Sequence, residues 1–235
     1  MRFEQALTRG RLLRRYQRFL ADVEVAGKTV TAHCPNTGSM LGCAVPGSPV
    51  WLSRSESPTR KYAWTWELVE VPEGAMVGIH TGRSNHLVRE AVEAGALPEL
   101  AGYDTMRGEV PYGEQRSRID WLLSGSGRPD CYLEVKNVTA AVRDGVAFFP
   151  DAVTARGTKH LQEMTALVRQ GRRAVLCFCV QRGDAGEVRP ADHIDATYGR
   201  VLRQALAAGV EAIAYGADVS AQGIDLVRPL PVVIP

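Results

Sequence analysis

The stretch SRIDWLLSGSGRPDCYLEVKN, residues 117–137, decides how the chain is read. Its centre, Ser124-Gly125-Ser126-Gly127-Arg128-Pro129-Asp130, is built from turn formers. Two runs of strand character flank it, Arg118 to Leu123 and Cys131 to Lys136. A hairpin centred near Gly127 sets Asp120 opposite Glu134. Alternation then gathers Ile119, Trp121, Leu123, Cys131, Leu133 and Val135 on one apolar face. Arg118, Asp120, Leu122, Tyr132, Glu134 and Lys136 share the other.

Two carboxylates directly across a strand pair lie about 5 Å apart at Cβ and repel each other unless a cation sits between them. Mg²⁺ or Mn²⁺, taking carboxylate, carbonyl and water oxygens, meets that need. Asp120 and Glu134 are the candidate metal ligands, with the Val135 carbonyl as a third donor. Lys136 points the same way as Glu134, about 7 Å along the strand, where an ammonium orients a water and stabilises developing negative charge. These are the parts of a phosphodiester hydrolase. The alternative is a solvated sheet face holding a structural ion pair, the usual meaning of an isolated E-x-K. Asp130 also precedes Glu134 in a literal P-D-…-E-x-K string. It lies roughly 13 Å away along an extended segment, so it reads as a turn residue.

The chain of 235 residues suits one or two domains with a real core. Its net charge of +2 permits nucleic-acid binding without demanding it. No apolar run approaches the ~20 residues that span a bilayer, and the opening Met1-Arg2-Phe3-Glu4-Gln5 has no signal-peptide character. The five cysteines follow no zinc spacing, and Cys177 and Cys179 read as small apolar residues of a buried strand. The expectation is a cytoplasmic protein with no membrane association.

Up to about residue 80 the pattern gives short strands between turns: Tyr16 to Val25, Thr29 to His33, Val50 to Ser53, Tyr62 to Val71 and Met76 to His80. About five strands in that length predict an oligonucleotide-binding (OB) type barrel over residues 1–82. From residue 83 the texture changes. Ser84 caps a helix over Asn85 to Glu93, and a strand near Thr105 to Val110 and the hairpin follow. Then come a helix over Thr158 to Gln170, a buried strand over Ala174 to Val180, a helix over Ile194 to Ala208 and a strand over Val210 to Tyr215. The order α-β-β-β-α-β-α-β predicts a mixed sheet flanked by helices over residues 83–235.

Other stretches complete a pattern: Arg15-Tyr16-Gln17-Arg18-Phe19-Leu20, His33-Cys34-Pro35-Asn36-Thr37-Gly38-Ser39-Met40, Arg60-Lys61-Tyr62, Thr65-Trp66-Glu67-Leu68, Tyr112-Gly113-Glu114, Phe149-Pro150-Asp151-Ala152-Val153-Thr154 and Lys159-His160-Leu161. With Ser117-Arg118-Ile119-Asp120 and Tyr132-Leu133-Glu134-Val135-Lys136, the chain resembles the sugar fermentation stimulation protein (SfsA) family over nearly its whole length. The resemblance implies an N-terminal OB-like five-stranded barrel, a C-terminal PD-(D/E)XK nuclease-like domain and a DNA-binding role tied to sugar-utilisation genes. It assigns Asp120, Glu134 and Lys136 to the acid, acid and lysine positions that the hairpin had already marked.

Further candidates surround this core. Glu114 shares a face with Arg118 and Asp120 if the strand is extended there, as an outer ligand or a partner of Arg118. Glu90 on the preceding helix is a further possible acid, though a solvated helix face is the more common role. Arg156 and Lys159 stand at a helix N-terminus, a natural anion site. His160 is a candidate proton carrier of the type histidine supplies, or else a hydrogen-bonded structural residue, and Gln162 is a weaker polar candidate. In the barrel, Lys61 lies beside Tyr62, Trp64 and Trp66, a stacking platform for bases, or else part of the barrel interior. Arg15 and Arg18 are candidates for phosphate contact, though isolated surface arginines are the more common case; Pro35-Asn36-Thr37-Gly38 reads first as a structural turn, with the lining of an interdomain cleft as its other role. Three functions follow: a Mg²⁺- or Mn²⁺-dependent nuclease on DNA, single- or double-stranded, or RNA; a DNA-binding regulator that does not cut; and a hydrolase of small phosphodiesters.

Overall fold

A computed structural model describes residues 1–113, 117–142 and 145–235. The first strands are β1 (Thr8–Tyr16), β2 (Leu20–Val25), β3 (Lys28–His33), β4 (Pro49–Arg54) and β5 (Trp64–Glu70). β1 pairs with both β2 and β4, β4 with β5, and β3 meets β5 at Ala32↔Trp64 and His33↔Thr65. This closes the sheet into the OB-type barrel and removes its edges. A short β6 (Met76–Gly78) pairs with β5 outside the closure. The interior is filled by Leu12, Val23, Leu52, Trp66 and Val69, each contributing roughly 1.5–3 kcal/mol on burial.

The barrel has the expected number of strands but not the expected ones. Tyr16 to Val25 is not a single strand. Gln17 and Arg18 take left-handed backbone (φ 48° and 65°) and turn the chain between β1 and β2. Such turns normally carry glycine or asparagine, so the sequence pattern concealed this one. β1 thus completes the barrel, and Met76–Gly78 is an addition to it. Trp66 lies wholly inside, its indole Nε1 donating to the Leu68 carbonyl at 2.9 Å. That removes it from any base-stacking face.

The chain then crosses to the second sheet through α1 (Ser84–Glu93). Ser84 is the first helical residue and not the cap; its hydroxyl donates to Asn137 Oδ1 at 2.8 Å. Next come β7 (Thr105–Tyr112), β8 (Ser117–Ser124), β9 (Cys131–Val138), β10 (Ala141–Val142), β11 (Val146–Phe149), α2 (Ala155–Arg169), β12 (Arg173–Val180), β13 (Glu187–Pro190), α3 (Ala196–Ala207), β14 (Glu211–Ser220) and β15 (Gly223–Leu230). The large sheet runs β15-β14-β12-β9-β8-β7, with β9 parallel to β12 and antiparallel to β8. β10, β11 and β13 form a small separate sheet.

One face of the large sheet packs on α1 and on barrel residues: Leu68, Leu87, Val88, Leu133, Cys177 and Cys179 share a cluster. The other face packs on α2 and α3 through Leu161, Met164, Leu176, Phe178, Tyr198 and Leu202. All five cysteines are free and buried. α2 starts earlier than its pattern suggests. Thr154 caps it by accepting from the Gly157 N–H at 3.0 Å. Gly157 therefore lies in the first turn, where a Cβ would meet Thr154 Cγ2 at 2.9 Å and Tyr198 Cε2 at 3.1 Å. Asp195 caps α3 at Tyr198 N and also accepts from Thr154 N, both at 2.9 Å, joining the two helix starts. Among the described residues no helix is long and apolar enough to cross a membrane.

The barrel and α1 are bound by a buried charge pair. Glu67 of β5, 2% exposed, accepts from Arg83 Nε at 2.7 Å and Nη2 at 2.8 Å, and from Ser53 Oγ at 2.7 Å. Burial pushes its carboxyl up, but the Arg83 bonds and charge outweigh that and hold it below the usual range. Removing one partner of such a pair strands the other. Arg83→Met is expected to lower the unfolding free energy by about 3–5 kcal/mol, with part of the loss recovered by adding Glu67→Gln. Urea denaturation of the three proteins checks both.

Candidate active site

The site forms where β8 and β9 stop pairing. Their ladder runs Leu123↔Cys131, Leu122↔Tyr132, Trp121↔Leu133 and ends there, one position short of Asp120 and Glu134. The Asp120 carboxylate takes over the ladder's work: Oδ2 accepts from the Val135 N–H at 2.7 Å, and Oδ1 from Asn85 Nδ2 on α1 at 2.8 Å. On its other side, β7 skips the corresponding pair. Glu109 is left-handed (φ 54°), and the register passes from Gly108↔Trp121 to Val110↔Ile119.

This irregularity corrects the face assignment. Ile119 does not share a face with Trp121 and Leu123. It packs with Tyr112, Leu122 and Leu167, while Leu123, Cys131, Leu133 and Val135 belong to the α1-side cluster, with Trp121 packed against it. The alternation breaks at Asp120, where β7 leaves its pair unmade without a change of register.

Glu134, 3% exposed, points toward α2. Its Oε1 accepts from Lys136 Nζ at 2.6 Å and is in short contact with His160 Nδ1. Arg156 Nε reaches His160 Nε2 at 3.4 Å. With Nε2 accepting, the imidazole is the tautomer that donates from Nδ1 to the carboxylate. The other oxygen, Oε2, is buried and has no hydrogen-bond partner. An orphaned carboxylate oxygen is costly, and an incoming cation relieves that cost.

The two acids titrate apart. Burial pushes Asp120 up and the charge of Glu134 adds to it, against the bonds from Val135 and Asn85. Burial also acts upward on Glu134, but the His160 hydrogen bond and the Lys136 charge overcome it and hold the carboxyl below its ordinary value. Among the described residues no three His, Cys, Asp or Glu side chains form a metal cluster. The available donors are Asp120, Glu134 and backbone oxygen such as that of Val135. One or two carboxylates with waters and substrate oxygens suit Mg²⁺, so the residues present fit a hard divalent cation.

The structure therefore brings together Asp120, Glu134, Val135, Lys136 and His160. Glu114 lies outside the described residues. Glu90 does not face the site; it pairs with the Met1 amino group at 2.7 Å. Asp130 stands in the β8–β9 connection against Arg172 at 3.4 Å. Arg118 and Arg156 are exposed, Lys159 is half-buried and Gln162 exposed on α2. Arg15 turns inward: Nη2 donates to the carbonyls of Arg18, Asn36 and Gly38 at 2.6, 2.8 and 2.9 Å. That corrects its reading as a phosphate contact and makes it a loop clamp. Lys61 is exposed, 5.4 Å from the Tyr62 ring centroid, and Arg54 stacks on Trp64 at 5.5 Å. Tyr62 precedes β5, and Trp64 is half-buried against the barrel core.

Two residues near the site escaped the sequence reading. The Tyr112 hydroxyl is buried, and its titration is raised by burial and by the charges of Glu134, Glu163 and Asp120. Glu163 is buried one turn after His160 on α2, against Gly113, where a Cβ would meet Glu163 Oε1 at 2.4 Å. The i, i+3 spacing of His160 and Glu163 on one helix face was the available signal.

Comparison with known proteins covers both parts of the chain. The family model described as sugar fermentation stimulation protein RE domain matches residues 82–223, and the one described as SfsA N-terminal OB domain matches residues 13–79. A sugar fermentation stimulation protein homolog of Alkalilimnicola ehrlichii is 59% identical over 238 residues, spanning 100% of both chains. One of Thioalkalivibrio sulfidiphilus is 60% identical over 99% of this chain and 98% of its own. Among solved structures, Pyrococcus furiosus SfsA in complex with Ca²⁺ is 27% identical, with a TM-score of 0.89 over 100% of this chain and 98% of that one.

The charge arrangement has a measurable signature. In metal-free protein, Lys136→Met should move the Glu134 titration upward, because burial is then opposed by His160 without the ammonium. A depressed carboxyl adds stability above its unfolded pKa and loses it as pH falls through the folded value. The wild type is thus expected to keep this contribution to more acidic pH than Lys136→Met. Carboxyl ¹³C titration with thermal melts across the acid range checks it; an unmoved Glu134 titration would contradict the assignment.

Proposed function

The chain belongs to the sugar fermentation stimulation protein family, and from that premise we propose that it is a divalent-metal-dependent phosphodiesterase acting on nucleic-acid strands. The observation that carries this reading is the unequal state of the two Glu134 oxygens. Oε1 is saturated by Lys136 and His160, while Oε2 is buried, unpartnered and on the strand facing Asp120. A structural ion pair has no use for that asymmetry. Pyrococcus furiosus SfsA was solved in complex with Ca²⁺, a hard cation of the class these donors suit.

Asp120, Glu134 and the Val135 carbonyl would hold Mg²⁺ or Mn²⁺. Such an ion supplies Lewis acidity and a water acidified toward neutral pH. Asp120 is fixed for its part by Asn85 and the Val135 N–H. Lys136 keeps its ammonium at the carboxylate and offers it to the attacking water or to a phosphoryl oxygen as negative charge builds. His160 orients Glu134 from α2 and is in turn held by Arg156. Arg118 and Arg156, both exposed, favour an anionic strand. The barrel, with Lys61, Tyr62 and the Arg54–Trp64 stack, supplies a basic and aromatic surface for that strand.

Labelled single-stranded and duplex DNA and RNA, incubated with Mg²⁺ or Mn²⁺, test the proposal. Cleavage is expected to vanish on chelation and to fall by about 10²–10³-fold in Lys136→Ala, and at least as far in Asp120→Ala. Cleavage that persists unchanged in both variants would rule out this site. Salt-dependent binding without cleavage under any of these conditions would favour a regulator that only binds.

A further inference from the structure

A cleft of about 360 Å³ lies between the barrel and the large sheet. Its size falls in the range of ligand pockets, about 300–1,000 Å³. Arg18, Thr37, Thr81, Asn137 and Phe148 line it. One lining residue, Asn137 of β9, directly follows Lys136 in the chain.

The walls are fixed in advance. Arg15 ties the carbonyls of Arg18, Asn36 and Gly38. Asn36 Nδ2 donates to the Ile79 carbonyl at 3.1 Å, and Thr81 Oγ1 to the Pro35 carbonyl at 2.8 Å. Across the cleft, Ser39 Oγ donates to the Asp151 carbonyl at 2.6 Å and Met40 N to Asp151 Oδ2 at 3.2 Å. Gly38 leaves no room for a side chain: a Cβ there would meet Asp151 Oδ2 at 2.4 Å. Two halves pinned this closely present one shape to a ligand, which lowers the ordering cost of binding.

The lining states what that ligand is. Asn137 Oδ1 is doubly occupied, by Ser84 Oγ at 2.8 Å and Gln181 Nε2 at 2.6 Å, which leaves its Nδ2 to donate. Phe148 is half-buried, with His193 edge-on at 5.4 Å between centroids. Thr37 and Thr81 add hydroxyls. Arg18 is exposed at the rim and forms no ion pair among the described residues. Asp151 is the one carboxylate in the lining, and its Oδ2 is engaged by Met40 N and Ser39 Oγ. This is not a cation site. An aromatic face, an oriented amide, hydroxyls and a lone guanidinium match a heteroaromatic base carrying a phosphate.

We propose that the cleft holds one unpaired nucleobase of the substrate strand, next to the phosphate to be cut, with Arg18 on an adjoining phosphate. Its placement beside the scissile bond rests on the phosphodiesterase reading; its affinity for a nucleotide does not. A base can enter only when unstacked, so single strands and frayed ends are the favoured substrates over intact duplex.

Two measurements test it. The first compares Mn²⁺-dependent cleavage of a single-stranded oligodeoxynucleotide with that of an abasic strand of equal length, for wild type and Phe148→Leu. The wild type is expected to prefer the base-bearing strand by about tenfold, and Phe148→Leu to erase that preference. Equal wild-type rates on the two strands, or a preference retained in Phe148→Leu, would overturn the proposal. The second is metal-free calorimetry with deoxynucleoside 5′-monophosphates, which needs no hydrolysis. Weakening by about tenfold in Phe148→Leu supports the pocket, and with neither strand cut it would retain the pocket while removing the phosphodiesterase reading. No nucleotide binding by wild type, or equal binding by both proteins, would overturn the pocket itself.

Discussion

Two acidic side chains held out of water at the parting of two strands impose the main constraint on this molecule. Like charges in a low-dielectric setting are unstable unless every neighbour helps to accommodate them. The neighbours here come from three elements. α1 contributes Asn85, the backbone of β9 contributes the Val135 N–H, the same strand contributes Lys136, and α2 contributes His160. The left-handed Glu109 and the missing Glu109–Asp120 pair of β7 and β8 belong to the same accommodation, because they free Asp120 from that ladder. Strain of this kind concentrates at functional sites.

That arrangement needs a rigid frame, and both layers around the large mixed sheet supply one. Leu133 and Val135 of β9 point into the α1-side core, and Val138 of β9 packs with Leu176 and Phe178 of β12 in the α2–α3 core. β9 is thus held on each face, and the functional side chains emerge from its end. The barrel is part of the same frame. Leu68 of β5 enters the α1-side cluster, Glu67 binds Arg83 just before α1, and Gln181 Nε2 bonds both the His80 carbonyl and Asn137. A barrel fixed this way has a set position relative to Lys136.

Much of this was legible in the residues. The turn at Gly127, the apolar runs around it and the E-x-K strand gave the hairpin in its true register, because two periods and one turn over-determine it. The helices announced themselves by spacing and by the glycines beyond their ends. What stayed hidden is what periodicity does not encode. The turn at Gln17 and Arg18 uses left-handed backbone without glycine. The break of alternation at Asp120 depends on β7, which lies outside the hairpin. Ser84 reads as a cap but spends its hydroxyl on Asn137. Arg15 reads as a surface cation but serves three carbonyls. In each case a tertiary partner overrode a local preference. β15 was missed for another reason: its Arg228-Pro229-Leu230 end dilutes the alternating pattern, and pairing with β14 supplies the order instead.

The central claim is that Asp120 and the free oxygen of Glu134 converge on one hard cation. Crystals of the protein soaked in Mn²⁺ and measured for anomalous scattering test it most directly. The account predicts a peak bonded to Asp120, Glu134 Oε2 and the Val135 carbonyl, with Lys136 and His160 still on Oε1. Density bound elsewhere, or a hairpin left without any peak at saturating Mn²⁺, would contradict it.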